Sequence, residues 1–205
     1  IKENYSDDTP YVLLIKDYFS FRHHYCFVAD IYGVNLYENR YQNRYFTYRE
    51  KLKMVLDIFN GVEFLKNGIP NYSIIHGDLK PENILMKYSC SKPDVIIVDF
   101  GLSKRIKKGG VIKENFVIQS RHYRAPEIYF KIPYDESTDM WSIGCIIYEL
   151  FLDEVLFPSK YDKDLLIFIH QIIGIPNSRY IKKNMRILKY YRNYTPKYIQ
   201  DTNYI

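Results

Sequence analysis

The sequence predicts an α+β domain in which short strands come first and helices dominate the remainder. Residues 11–19 and 25–31 are rich in aromatic and β-branched residues and flank a polar turn, a pattern typical of a hairpin. Later segments repeat apolar residues with a period near that of a helix with one buried face. The chain has 205 residues, 47% of them hydrophobic, which is enough for the core of one domain.

The first long helix is predicted to begin at Thr47. Thr47 and Glu50 have the spacing of a capping box, in which each side chain accepts a hydrogen bond from the other residue's backbone. The helix is expected to end near residues 67–68, where an asparagine precedes a glycine. Within it, the apolar residues Leu52, Val55, Leu56, Phe59 and Val62 recur with helical period.

The remaining elements follow in order. Residues 84–86 and 95–98 are short β-branched runs that indicate buried strands. Residues 137–152 form an apolar helix, and residues 164–173 form a further helix closed by a glycine and a proline.

Composition narrows the class of protein. The net charge is +5, but Lys and Arg are dispersed, so we expect no nucleic-acid partner. The longest apolar run, residues 140–152, is too short for a membrane span and contains Ser142 and Glu149. Three scattered cysteines favour a reduced, intracellular home, in the cytoplasm or the nucleus, over a disulfide framework.

Residues 75–85 contain the side chains needed for phosphoryl transfer. Asp78 is a candidate to orient a hydroxyl and accept its proton, and Lys80 is placed to offset phosphoryl charge. Asn83 and Asp99 offer hard oxygen ligands for Mg²⁺. Asp99 follows the strand at residues 95–98, and Phe100 after it is expected to pack inward.

Each of these motifs alone has an ordinary structural explanation, such as a solvated turn or the end of a strand. Their order is more informative: His-x-Asp-x-x-x-x-Asn begins at His76, Asp-Phe-Gly begins at Asp99, and Ala-Pro-Glu begins at Ala125. Together these motifs resemble the eukaryotic protein kinases, and the roles given above to Asp78, Lys80, Asn83 and Asp99 are the family roles that this resemblance implies.

Finer features resemble one group of kinases, which contains the cyclin-dependent, MAP, CDC-like and dual-specificity tyrosine-regulated kinases (the CMGC group). Residues 119–127 match that group's segment, with Arg124 as its signature. Residues 19–26 and 35–38 are most similar to the dual-specificity tyrosine-regulated branch, and the CDC-like kinases come second.

The resemblance implies a protein kinase-like fold. Residues 1–32 would be the remnant of the N-lobe with its hinge, and residues 33–205 an incomplete, mainly helical C-lobe. The catalytic loop would span residues 74–86 and the activation segment residues 99–127. The start of the N-lobe and the final C-lobe helices are expected to lie outside this chain.

The resemblance also assigns roles to residues. Lys80 and Ser120 would steady Asp78, while Arg121 and Arg124 would shape the activation segment and the substrate groove. ATP would contact Asp30, Tyr32, Leu85 and Val98. Structural roles fall to His76, Phe100, Glu127 and Asp139, of which the last would anchor the catalytic loop.

The implied activity is a serine/threonine protein kinase that uses ATP and Mg²⁺ to phosphorylate protein substrates, with dual specificity and oligomeric state left open. Gly77 replaces the arginine of most kinases, and Val117 stands where the branch modifies a tyrosine. The 205 residues contain no Gly-x-Gly-x-x-Gly and no Val-Ala-Ile-Lys-like strand, so this chain alone is expected to be inactive. The alternative is a non-catalytic, pseudokinase-like interaction domain.

Overall fold

The computed structural model describes residues 11–41, 45–87, 93–114, 116–193 and 195–200. The strands in these ranges are β1 (Asp17–Phe21), β2 (His24–Val28), β3 (Tyr72–Ile75), β4 (Ile84–Met86), β5 (Val95–Ile97), β6 (Lys104–Lys107), β7 (Tyr191–Arg192) and β8 (Thr195–Pro196). The helices are α1 (Leu36–Tyr41), α2 (Tyr48–Asn67), α3 (Pro126–Tyr129), α4 (Ser137–Leu152), α5 (Asp162–Ile172), α6 (Ser178–Lys183), α7 (Met185–Leu188) and α8 (Lys197–Gln200). The α+β class is therefore confirmed.

The predicted hairpin exists, but it is shorter than expected. Strands β1 and β2 pair in antiparallel fashion around Arg22 and His23, whose positive φ values of 46° and 65° suit a tight hairpin turn. Residues 11–13 lie outside the hairpin because they pair with Ile97, whereas the Lys16 N–H still donates to the Val28 carbonyl at 2.8 Å. Val12 forms a parallel bridge with Ile97 of β5 and is 2% exposed.

Helix α2 begins and ends as predicted, and the Thr47–Glu50 capping box is present. Of the apolar residues that recur with helical period, Val62 is buried, whereas Leu52, Leu56 and Phe59 are exposed. The helix carries apolar residues on two sides, and periodicity alone does not say which side meets the core. Its buried residues are Met54, Asp57, Ile58, Gly61, Val62 and Leu65.

The main core lies where α2, α4 and the β4–β5 pair meet. Met54 and Ile58 of α2 are fully buried with Ile146 of α4, and Ile97 of β5 joins the same cluster. Gly61 allows this close approach, because a Cβ there would lie 2.7 Å from the Ile97 side chain. The core therefore fixes β4, at the end of the predicted catalytic loop, and β5, which leads to Asp99.

The later elements agree with the sequence to within two residues. Helix α4 has its predicted bounds, and α5 begins at Asp162, two residues earlier than predicted. Strand β5 ends at Ile97 and leaves Val98 outside. In the part of the chain that the structure describes, three short helices, α6 to α8, follow α5. Within the described ranges, no helix is long and apolar enough to cross a membrane.

Candidate active site

A buried carboxylate anchors the backbone of the predicted catalytic loop, residues 74–86. Asp139, in the first turn of α4, accepts hydrogen bonds from the backbone N–H groups of His76 at 2.7 Å and Gly77 at 3.0 Å. Burial raises the pKa of Asp139 to about 6, although the two N–H donors act in the opposite direction. Helix α4 thus positions the backbone that leads to Asp78.

Gly77 adopts a conformation that a side chain would oppose. Its φ is +77°, and a Cβ at this position would lie 3.0 Å from the carbonyl oxygen of Leu102. The turn brings the Gly77 carbonyl to the Gln119 N–H, which donates to it at 2.7 Å. Glycine at this position therefore relieves strain at the junction of the catalytic loop and residues 119–124.

The Asp78 carboxylate is held by several donors. Its Oδ1 accepts from the Ser120 N–H at 3.0 Å and from the Ser120 hydroxyl at 2.8 Å. Its Oδ2 lies 3.0 Å from Lys80 Nζ, which also donates to Ser120 Oγ at 3.2 Å. Burial acts to raise the pKa of Asp78, but the hydrogen bonds from Ser120 and Lys80 and the lysine charge outweigh it and lower that pKa. The predicted residues Asp78, Lys80 and Ser120 lie in one cluster.

Asn83 and Asp99 lie on adjoining ends of the β4–β5 pair. The Val98 N–H donates to the Asn83 carbonyl at 3.0 Å, which joins the residue before β4 to the segment that carries Asp99. The Asn83 amide nitrogen donates to the Asp78 carbonyl at 2.9 Å, so its Oδ1 remains available as a ligand. An amide oxygen and a carboxylate are hard donors that suit Mg²⁺ with water in the remaining positions.

The His76 side chain contacts the backbone on both sides of its ring and packs against Phe100. Its Nε2 lies 3.0 Å from the Val98 carbonyl, and its Nδ1 accepts from the Asp78 N–H at 3.2 Å. Burial lowers the pKa of His76, so the ring is neutral at physiological pH. The Phe100 ring packs against it at a centroid distance of 5.1 Å. These contacts join the catalytic loop to the Asp-Phe-Gly segment.

Sequence reasoning missed Gln119, a buried residue with a φ of +65°. Its amide nitrogen donates to the Thr138 carbonyl at 2.8 Å and to the Ser142 hydroxyl at 2.9 Å, both on α4. Its amide oxygen accepts from the Ala125 N–H at 2.9 Å. The signal available in the sequence was an uncharged amide directly before Ser120.

Tyr123 and Glu149 form a second polar contact that the sequence did not reveal. The Tyr123 hydroxyl donates to the Glu149 carboxylate at 2.6 Å, and Arg40 of α1 lies 3.3 Å from the same carboxylate. Tyr123 is 6% exposed, so its hydroxyl is not open to a modifying enzyme in the folded state.

Arg121 and Arg124 both extend to Asp162, the first residue of α5. Glu127 forms no ion pair with any residue in the described ranges, and burial raises its pKa.

The predicted nucleotide-contacting residues lie on three segments: Asp30 and Tyr32 follow the hairpin, Leu85 lies in β4, and Val98 follows β5. The Gly33 N–H donates to the Met86 carbonyl at 2.7 Å, and Asn35 forms an antiparallel β-bridge with Leu85. The residues after the hairpin therefore run beside β4. Leu85 and Val98 are half-buried. Asp30 is exposed and forms an ion pair with Lys16, while the nearby Tyr32 is half-buried.

Comparison with known proteins agrees with this geometry. The family model described as "Protein kinase domain" matches residues 2–199. The chain is 35% identical over 188 residues to dual specificity tyrosine-phosphorylation-regulated kinase 4 of Homo sapiens, covering 91% of this chain and 34% of the relative. It is 39% identical over 166 residues to the probable dual specificity protein kinase YAK1 homolog of Encephalitozoon cuniculi, covering 78% and 38%.

A third relative is homeodomain-interacting protein kinase 1 of Caenorhabditis elegans, with 33% identity over 186 residues, 90% of this chain and 21% of the relative. The chain spans between about a fifth and two fifths of the length of these three relatives. The chain therefore belongs to the protein kinase family, in the CMGC group that contains these relatives.

Proposed function

We propose that this chain carries the acceptor side of a serine/threonine kinase active site, with Asp78 as the group that receives the substrate hydroxyl. The observation that carries the proposal is the cluster around Asp78, in which Ser120 and Lys80 fix both carboxylate oxygens. A carboxylate fixed in this way can orient a hydroxyl for in-line attack on a phosphoryl group.

The lowered pKa of Asp78 bears on its role. A carboxylate with a lowered pKa is a weak base, so its main contribution is to align the hydroxyl and to receive the proton late in the reaction. Such a role suits a loose transition state, in which the attacking oxygen keeps its proton until bond formation is advanced. Lys80 lies beside Asp78 and supplies positive charge near the transferred group.

Asn83 and Asp99 would hold Mg²⁺, which when bound neutralises charge on the phosphates of ATP. Leu85 and Val98, with the backbone of residues 30–32, would contact the adenine. The remaining steps at the acceptor belong to this chain. Asp78 would orient the hydroxyl, and Ser120 and Lys80 would keep Asp78 ionised.

The residue after the acceptor would lie near Gln119. The Gln119 carbonyl already accepts from Arg124 Nε and Nη2, each at 3.2 Å. A substrate N–H at this point would lack an acceptor, and a buried unpaired N–H costs about 1–3 kcal/mol. Proline has no N–H and avoids that cost, so we propose that Ser-Pro and Thr-Pro sites are preferred.

The test uses the full-length protein expressed from its own gene. We expect Asp78→Asn to lower kcat for a serine peptide by about 10²- to 10⁴-fold, the usual contribution of a positioned acid–base group. Glu63→Gln, at an exposed position on α2, serves as the matched control. Unchanged turnover of Asp78→Asn would refute the role of Asp78, and equal rates on Ser-Pro and Ser-Ala peptides would refute the substrate preference.

A further inference from the structure

Two arginines of the segment after Ser120 share one carboxylate on another element. Arg121 Nε donates to Asp162 Oδ1 at 2.8 Å, and Arg124 Nη1 lies 3.2 Å from the same oxygen. The hydrogen bond from Arg121 is the largest factor that lowers the pKa of Asp162, so the carboxylate is ionised at neutral pH. Helix α5 therefore presents a negative charge to both guanidinium groups.

The same arginines are also tied to backbone carbonyls. Arg121 Nη1 donates to the Lys160 carbonyl at 2.9 Å, and Arg124 donates twice to the Gln119 carbonyl. The Arg124 side chain is only 12% exposed, whereas that of Asp162 is 62% exposed. Asp162 is thus connected through Arg124 to the residue directly before Ser120.

An anion that binds two arginines can order a loop, which is how phosphorylated residues act in switchable kinases. Val117, where the resemblance places the modified tyrosine, is exposed and has no hydroxyl to carry a phosphate. Tyr123 is buried against Glu149. The anion that contacts Arg121 and Arg124 comes instead from α5.

We propose that Asp162 is a positioning residue whose carboxylate acts as a built-in anion, so that residues 119–124 are ordered without phosphorylation. The consequence for catalysis rests on the proposed kinase function, whereas the ordering of the segment does not. Through Gln119 and Ser120, this ordering would fix the donors that hold Asp78.

A competing explanation is that Asp162 only stabilises the start of its own helix. An acidic residue in the first turn interacts favourably with the helix dipole whether or not arginines are present. The two roles differ in one respect. Stabilisation of the helix persists when both arginines are removed, whereas the clamp, by which we mean the contact of Asp162 with Arg121 and Arg124, does not. A double-mutant cycle therefore separates them.

The experiment measures amide hydrogen exchange of residues 119–124 by mass spectrometry in the full-length protein. We expect Asp162→Asn to speed exchange about two- to fivefold, because ion pairs to a largely exposed carboxylate contribute modestly to local stability. Asp162→Glu should stay near the wild type, because it keeps the carboxylate. Glu154→Gln, an exposed control on the loop after α4, should leave exchange unchanged.

The same Asp162→Asn change is then made in a protein that carries Arg121→Gln and Arg124→Gln. We expect no further increase in exchange in that background. Unchanged exchange in the Asp162→Asn single variant, or an equal effect with and without the arginines, would overturn the proposal.

Phosphoryl transfer supplies the second readout. Wild-type protein shown by intact mass to be unphosphorylated should transfer phosphate, and Asp162→Asn should lower kcat while KM for ATP is unchanged. Loss of wild-type activity after phosphatase treatment would also overturn the built-in anion. If the wild type transfers no phosphate while amide exchange in the variants changes as expected, the proposed kinase function is refuted and the ordering role of Asp162 is supported.

Discussion

Replacing Gly77 by alanine tests the geometry of the catalytic loop directly. At a φ of +77°, a residue with a Cβ costs about 1–2 kcal/mol. The new Cβ would also lie 3.0 Å from the Leu102 carbonyl oxygen, which must move by a few tenths of an ångström. The smaller entropy of the unfolded alanine chain returns about 0.4–1 kcal/mol. These two terms alone leave a net loss of about 0–1.6 kcal/mol. The displacement of the Leu102 carbonyl oxygen adds to it, so we expect Gly77→Ala to lower the free energy of unfolding by about 1–2 kcal/mol.

Two other glycines provide matched controls. Gly174 has a φ of +99°, and an added Cβ would meet nothing within 4 Å, so Gly174→Ala isolates the cost of the torsion angle. Gly144 lies in α4, is exposed, and likewise has open space around a Cβ. Gly144→Ala should stabilise the protein by about 0.5–1 kcal/mol, because alanine is the better helix former.

The assay is urea unfolding followed by circular dichroism, with the slope compared among variants to confirm that only stability has changed. The expected order of stability is Gly144→Ala, wild type, Gly174→Ala and then Gly77→Ala. A Gly77→Ala protein within about 0.5 kcal/mol of the wild type, the range of neutral surface substitutions, would refute the strain argument.

Two further predictions concern the polar contacts of the site. Asp139→Ala should cost about 2–4 kcal/mol in urea unfolding, because the His76 and Gly77 N–H groups lose their buried acceptor; a loss no larger than that of an exposed aspartate would contradict the anchoring role. Ser120→Ala should raise the pKa of Asp78, so the acid limb of the kcat/KM profile moves to higher pH. The direction follows because the hydrogen bond from the Ser120 hydroxyl lowers the pKa of Asp78, and alanine removes that hydroxyl. The stability that this hydrogen bond gives the folded protein is present above the pKa of the unfolded state and is lost as the pH falls through the pKa of the folded state. An acid limb that does not move would show that Ser120 leaves the ionisation of Asp78 unaffected.

Much of the architecture could be predicted from local sequence. The capping box at Thr47 fixes the start of α2, and the apolar run from Ser137 to Leu152 matches α4 at both ends. These features are local, since caps and turn residues act within a few positions of the chain. The hairpin was predicted at the right place but with the wrong bounds, because pairing of residues 11–13 with β5 is a long-range event.

The face of α2 shows where local reasoning stops. Leu52 and Met54 are both apolar, yet only Met54 is buried, and the choice depends on where β5 and α4 lie. Asp162 shows the same limit at the site. Nothing in the sequence connects it with Arg121 and Arg124, which lie about 40 positions earlier in the chain.

By itself the sequence determined the family, the chemical groups of the site and the elements that carry them, because ordered motifs and helix caps are written in neighbouring residues. Only the tertiary structure decided which donors hold Asp78, how Gln119 and Asp139 support the loop, and which carboxylate meets the two arginines. Several of those contacts join distant residues: His76 and Asp139 are 63 positions apart, Asp78 and Ser120 are 42 apart, and Arg121 and Asp162 are 41 apart. The position of Gly77 depends instead on a turn that a side chain would strain. Their energy depends on distance and burial, and both are properties of the folded chain.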